Sequence, residues 1–116
     1  RHNMLNPLAP QAKTFIAQKL EQTDALVTVA ATDYIRNFAD KIREFVPGKY
    51  VTLGTDGFGR SDYRQALREF FEVNRYYVAV AALKGLADQG LIEANVVADA
   101  IIKYGINTNK ANPWEV

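Results

Sequence analysis

A chain of 116 residues supplies one small domain and leaves no room for two. Fourteen Lys and Arg against thirteen Asp and Glu leave a formal charge of +1, which lacks the basic excess of a nucleic-acid binder, so no nucleic acid is expected as partner. Cysteine is absent, which excludes disulfides, thiolate metal sites and cysteine nucleophiles, and no apolar run approaches the ~20 residues that cross a bilayer, so no membrane is expected either.

In chain order, Asn6-Pro7-Leu8-Ala9-Pro10 is a turn, and a helix is expected over Gln11 to Gln22 with Pro10 at its start and Phe15, Ile16, Lys19 and Leu20 on neighbouring turns. Ala25 to Ala31 is a continuous, β-branched apolar run, which suits a strand covered on both faces. Thr32 or Asp33 then caps a helix whose Tyr34, Ile35, Phe38, Ala39, Ile42, Phe45 and Val46 share one face, and Pro47-Gly48 stops it. Tyr50 to Leu53 reads as a second strand. Strand, helix, strand over residues 25 to 54 is the unit of a right-handed parallel crossover.

The glycine-rich stretch Leu53-Gly54-Thr55-Asp56-Gly57-Phe58-Gly59-Arg60-Ser61-Asp62 follows. Beyond it, Ser61 or Asp62 is expected to cap a helix with Tyr63, Ala66, Leu67, Phe70 and Phe71 inward, with Asp62 and Gln65 at capping-box spacing. Tyr76 to Leu83 has the composition of a buried strand, but its length, a cap at Asn74 and a terminator at Gly90 favour a helix. A last helix spans about Ala94 to Tyr104, closed by Gly105 with Ile106 folding back, and Asn107 to Val116 is expected as a surface tail. Two strands near 25–31 and 50–54 with about five helices give an α/β domain whose sheet is incomplete, with one edge of the first strand open. The chain, which opens on Arg1, reads as one partial domain over residues 1–116.

The glycine loop is the main candidate for chemistry. A phosphate loop needs Lys-Ser or Lys-Thr after its second glycine and a dinucleotide loop needs G-x-G-x-x-G, whereas this loop is G-x-x-G-x-G followed by Arg60-Ser61. Two readings stay open: Asp56, Gly57, Gly59, Arg60 and Ser61 form an anion or interdomain contact in a regulatory module, or the glycines only permit a difficult turn. Ser61 is not in a G-x-S-x-G context and the lone histidine, His2, is near a terminus, so no catalytic residue and no metal ligand is assigned. Arg60, Arg64 and Arg68 make a ridge that Asp62, Glu69 and Glu72 partly neutralise, which suits a solvated face as well as an acidic partner. The pairs Phe70-Phe71 and Tyr76-Tyr77 suit a core or subunit contact.

Thr32-Asp33-Tyr34, Val46-Pro47-Gly48, Leu53 to Asp62, Arg64 and Leu67-Arg68-Glu69-Phe70-Phe71-Glu72-Val73 together resemble the carboxy-terminal end of the homodimeric pyruvate dehydrogenase family. Asn3-Met4-Leu5 with Pro7, Val80-Ala81-Ala82-Leu83 and Lys103-Tyr104-Gly105-Ile106 extend the likeness from near residue 3 to about residue 113. The resemblance implies a three-layer α/β/α, transketolase C-terminal-domain-like fold whose earlier strands precede this segment. It implies a bacterial cytoplasmic parent enzyme that decarboxylates pyruvate on thiamine diphosphate with Mg2+, with three partners: the rest of its own subunit, a second subunit of a homodimer, and a dihydrolipoyl acyltransferase core. Thr55-Asp56-Gly57 echoes the family's G-D-G, but its leading residue is Thr and no paired Asn follows. Asn74 and Asn95 stand alone. The resemblance therefore implies that catalytic and cofactor residues lie elsewhere, with no cofactor bound by this segment.

Overall fold

The computed structural model describes all 116 residues. In order these are α1 (His2–Leu5), α2 (Phe15–Glu21), β1 (Val27–Ala31), α3 (Arg36–Asp40), a 3₁₀ turn (Arg43–Phe45), β2 (Lys49–Leu53), α4 (Arg64–Phe70), α5 (Arg75–Asp88) and α6 (Ala94–Lys103). β1 and β2 pair in parallel, Val27 opposite Lys49 through Ala31 opposite Leu53, as the strand, helix, strand pattern requires.

Side chains alternate across a strand, so this register sorts them onto two faces. On the face of Val27 and Lys49 lies α5: Gly85 sits against Val27, Gln89 donates to the carbonyl of Leu26 at 3.1 Å, and Lys49 approaches Asp88 at 3.9 Å. On the face of Tyr50 and Thr52 lie α3 and the 3₁₀ turn. There the Tyr50 hydroxyl donates to the Ala39 carbonyl at 2.7 Å, Thr52 donates to Asp40 at 3.0 Å, and Arg43 donates to the Tyr50 carbonyl at 2.7 Å. The result is the expected three-layer α/β/α order around a short sheet.

Several boundaries differ from the sequence expectation for local reasons. Thr14, not Pro10, begins α2, because its hydroxyl accepts the Ala17 amide at 3.2 Å and satisfies an otherwise orphaned donor. The single helix expected from Tyr34 to Val46 is divided into α3 and the 3₁₀ turn. Thr32 accepts the Tyr34 amide at 3.1 Å, which makes a turn instead of a cap. Asp40 bridges Arg43 and Thr52 at the division, and its carboxyl is held below the usual range, first by the Arg43 hydrogen bond and against the opposing effect of burial.

The longer helices follow the sequence more closely. Asn74 caps α5 by accepting the amides of Tyr76 and Tyr77 at 3.0 and 3.2 Å, which settles the strand or helix ambiguity of that run. Beyond α5, the Leu91 amide returns to the Leu86 carbonyl at 3.1 Å, and beyond α6 the Ile106 amide returns to Ile101 at 3.1 Å. Both closures are the 6→1 bond of a glycine-terminated helix. The single turn α1 carries no signal that periodicity could detect.

The core is shallow. Val46, Tyr50, Phe71, Val97 and Ala100 are buried, but no large side chain is completely enclosed. The accessible surface is 8518 Å², against roughly 6,300 Å² for a compact chain of this mass. The radius of gyration is 17.3 Å, against about 13 Å for a compact domain of this length. Leu8, Phe15, Phe58 and Ile102 stand exposed. The two strands are the whole sheet, so each has one edge with no strand beside it. No helix is long and apolar enough to cross a membrane.

Candidate functional site

The stretch from Leu53 to Asp62 leaves the carboxyl end of β2 and is tied at once to the corresponding end of β1. The Thr32 amide donates to the Leu53 carbonyl at 3.0 Å and the Thr55 amide to the Tyr34 carbonyl at 2.9 Å. The Thr55 hydroxyl donates to the Asp33 carbonyl at 2.6 Å. Two crossover ends are thus laced side by side.

Asp56 is the hinge of this lacing. One carboxylate oxygen accepts the Arg36 amide at 3.0 Å and the other accepts the Arg36 Nε at 2.7 Å. It satisfies an amide at the start of α3, where Ile35 offers no side-chain cap, and neutralises the guanidinium of the same residue. The Arg36 guanidinium in turn lies 3.7 Å from the centre of the Trp114 ring, a cation–π stack that draws the tail over the loop.

Gly57 is needed where this tail crosses. Its φ is +95°, and a Cβ there would meet the Pro113 carbonyl oxygen at 2.9 Å and the Trp114 Cα at 3.1 Å. Residues 107 to 116 are mostly exposed, yet Pro113 is buried and Lys110 donates to the Glu69 and Phe70 carbonyls at 2.7 and 2.6 Å. A cation there complements the carbonyls at the end of α4, where the Glu69 oxygen also accepts the Glu72 amide at 3.3 Å. The tail is therefore a strap anchored at two points.

The remaining loop candidates are arranged differently. Gly59 has open space around it, and Phe58 is 80% exposed. The Arg60 guanidinium lies over the Phe70 ring at 4.1 Å. Asp62 accepts the Tyr63 amide at 2.8 Å, and Tyr63 is the residue that precedes α4 without a side-chain cap. Neither Ser61 nor Asp62 therefore caps that helix, and the expected box with Gln65 does not form: the Asp62 oxygen is engaged by the Tyr63 amide, two residues before Gln65. His2 sits on the exposed turn of α1. No three acidic or histidine side chains gather as a metal-binding group would require.

Beside the loop, beyond the carboxyl end of β1, an open cleft of about 960 Å³ is bounded by Asp33, Tyr34, Arg64, Arg68, Asn74 and Arg75, among others. It adjoins a smaller one of about 470 Å³ that shares Arg64 and Arg68 and adds Arg60. The arginine ridge of α4 was legible as a pattern. That Arg75 faces it was not, because the meeting of α4 with the start of α5 depends on the turn at Val73 and Asn74. Arg36 with Trp114 is a second pair that no local spacing announces.

Replacing Asp56 by Ala is expected to lower unfolding stability by about 2 kcal/mol, since it leaves both the amide and the guanidinium of Arg36 without their acceptor. Asp56→Asn retains one acceptor oxygen and is expected to lose less. Urea denaturation followed by the fluorescence of Trp114, the one tryptophan, measures both variants. Two midpoints equal to that of the unsubstituted chain would contradict the role given to Asp56.

Comparison with known proteins fits this architecture. Residues 3–74 match the transketolase-like TK C-terminal domain family. The whole chain is 53% identical to the pyruvate dehydrogenase E1 component of Cupriavidus necator, of which it spans 13%. Over 97% of its length it is 54% identical to the protein of that name from Haemophilus influenzae and 51% identical to that from Escherichia coli strain K12, spanning 12% of each. The chain spans about an eighth of the length of these relatives. The chain belongs to the transketolase-like C-terminal domain family.

Proposed function

We propose that this chain is the C-terminal domain portion of a bacterial, cytoplasmic, homodimeric pyruvate dehydrogenase subunit, and that its role there is to complete and support the subunit. In this reading the longer polypeptide decarboxylates pyruvate on thiamine diphosphate with Mg2+ and passes the acetyl unit to lipoyl groups of a dihydrolipoyl acyltransferase core. The identity of about half the residues to relatives of that name supports the reading. The observation that carries a supporting role is the excess of exposed surface over a shallow core, with unpaired strand edges: this chain offers more apolar surface than it can bury itself.

The loop tip, Phe58 to Ser61, is the part of the glycine stretch still free to meet a neighbouring domain, whereas Asp56 and Gly57 are engaged within the chain. The chemistry is assigned to residues outside the chain. Calorimetric titration of thiamine diphosphate with Mg2+ into the 116-residue chain is expected to give no binding heat, while the longer polypeptide binds it and decarboxylates pyruvate. Saturable, Mg2+-dependent binding by the chain itself would overturn the placement of the cofactor site, and a longer polypeptide without pyruvate decarboxylation would overturn the activity.

A further inference from the structure

We propose that the cleft beyond the carboxyl end of β1 binds a small polyphosphate-bearing anion through Arg64, Arg68 and Arg75. Its place is the crevice outside the end of a parallel strand, where open α/β sheets leave room for ligands. Its volume of about 960 Å³ lies at the upper end of the range for small-molecule sites.

The cationic groups approach from two walls. Arg64 and Arg68 are one helical turn apart on α4, and neither takes part in any ion pair or hydrogen bond of its side chain within the chain. Arg75 stands on the second wall at the start of α5. Its guanidinium donates to the Tyr76 hydroxyl at 2.8 Å and lies 4.8 Å from that ring, which restricts its orientation before any ligand arrives. A planar guanidinium matches a phosphate with two parallel N–H groups, so three of them suit linked phosphates.

Asp33 and Glu69 also border the cleft, so its charge is three arginines less two carboxylates, or +1. Recognition therefore rests on the placement of the three guanidinium groups and not on the net charge, and a ligand with several negative oxygens can offer a separate one to each guanidinium. The amides of Tyr76 and Tyr77 at the start of α5 are already taken by Asn74, so the arginine side chains, not the helix terminus, supply the binding groups. The adjoining cleft continues past Arg64 and Arg68 to Arg60, but Asp62 lines it too and the Arg60 guanidinium is stacked on Phe70, so the binding groups are those of the larger cleft.

Inorganic pyrophosphate titrated into the chain at low ionic strength, followed by amide NMR, tests the proposal. Saturable shifts confined to residues 31–34 and 64–76 are expected, with affinity lowered at least ~10-fold in the Arg64→Gln, Arg68→Gln double variant. Both side chains are exposed, and unchanged α6 amides register that the variant keeps its fold. Shifts that do not saturate, that lie elsewhere, or that survive at equal affinity in the double variant would overturn the site. Where the chain alone gives no dispersed spectrum, hydrogen exchange on the longer polypeptide is read in peptides covering residues 29–36 and 62–77. Pyrophosphate protection there, lost in the double variant, is the expected result, and no protection overturns the proposal.

Discussion

Gly54→Ala is expected to lower the unfolding stability of this chain by about 3 kcal/mol, among the largest effects of any single methyl group added to it. A Cβ at this position would stand 2.7 Å from Arg36 Cγ, 2.8 Å from the Arg36 amide nitrogen and 2.8 Å from the Tyr34 carbonyl oxygen. Two of these three atoms belong to backbone. They also belong to the junction where the Thr55 amide reaches Tyr34 and Asp56 reaches Arg36, so the new methyl cannot be accommodated by moving one flexible side chain. Relief requires the two crossover ends to separate, and that separation removes the Asp56 contacts as well. Gly59→Ala, in open space within the same loop, is the matched control and is expected to change stability by less than ~0.5 kcal/mol. Thermal and urea unfolding compare the two. Equal losses would mean that loop flexibility in general, and not the close approach at Gly54, governs the fold here.

The second large effect concerns association. The isolated chain is expected to be marginal, with an unfolding free energy at or below the ~5 kcal/mol low end for domains, and to self-associate as concentration rises. The reason is geometric. Exposed Leu26 immediately precedes β1, β1 pairs only with β2, and the surface area exceeds that of a compact chain by about a third. An open, apolar strand edge seeks another strand. Sedimentation velocity and melting curves across a wide concentration range are expected to show a concentration-dependent mass and midpoint. A sharp melt of a monomer, independent of concentration, would show that the shallow core suffices and would remove the main physical support for a chain that needs neighbours.

Much of the architecture was written locally. The β-branched run ending at Ala31, the cap at Asn74 and the glycines at 90 and 105 each act within a few residues, and each appears where short-range chemistry places it. Where local pattern and structure differ, a competing short-range bond prevails: Thr14 over Pro10, and Asp62 on the Tyr63 amide over a box with Gln65. The division of the expected long helix came from farther away, because Asp40 is shared between Arg43 and Thr52 of the neighbouring strand.

The glycine stretch marks the boundary between the two kinds of information. The sequence by itself determined that residues 53 to 62 are a strand-to-helix turn, that they match no phosphate or nucleophile template, and which family their wording resembles. Only the tertiary structure decided what the individual residues do: Asp56 locks Arg36, Gly57 admits the tail, and the Arg64 and Arg68 ridge meets Arg75 across a cleft. The physical reason is range. Helix caps and strand runs depend on neighbours along the chain, whereas Arg36 with Asp56 joins residues 20 positions apart, Gly57 meets the tail at Pro113, and Arg75 faces Arg64 and Arg68 only through the turn between α4 and α5.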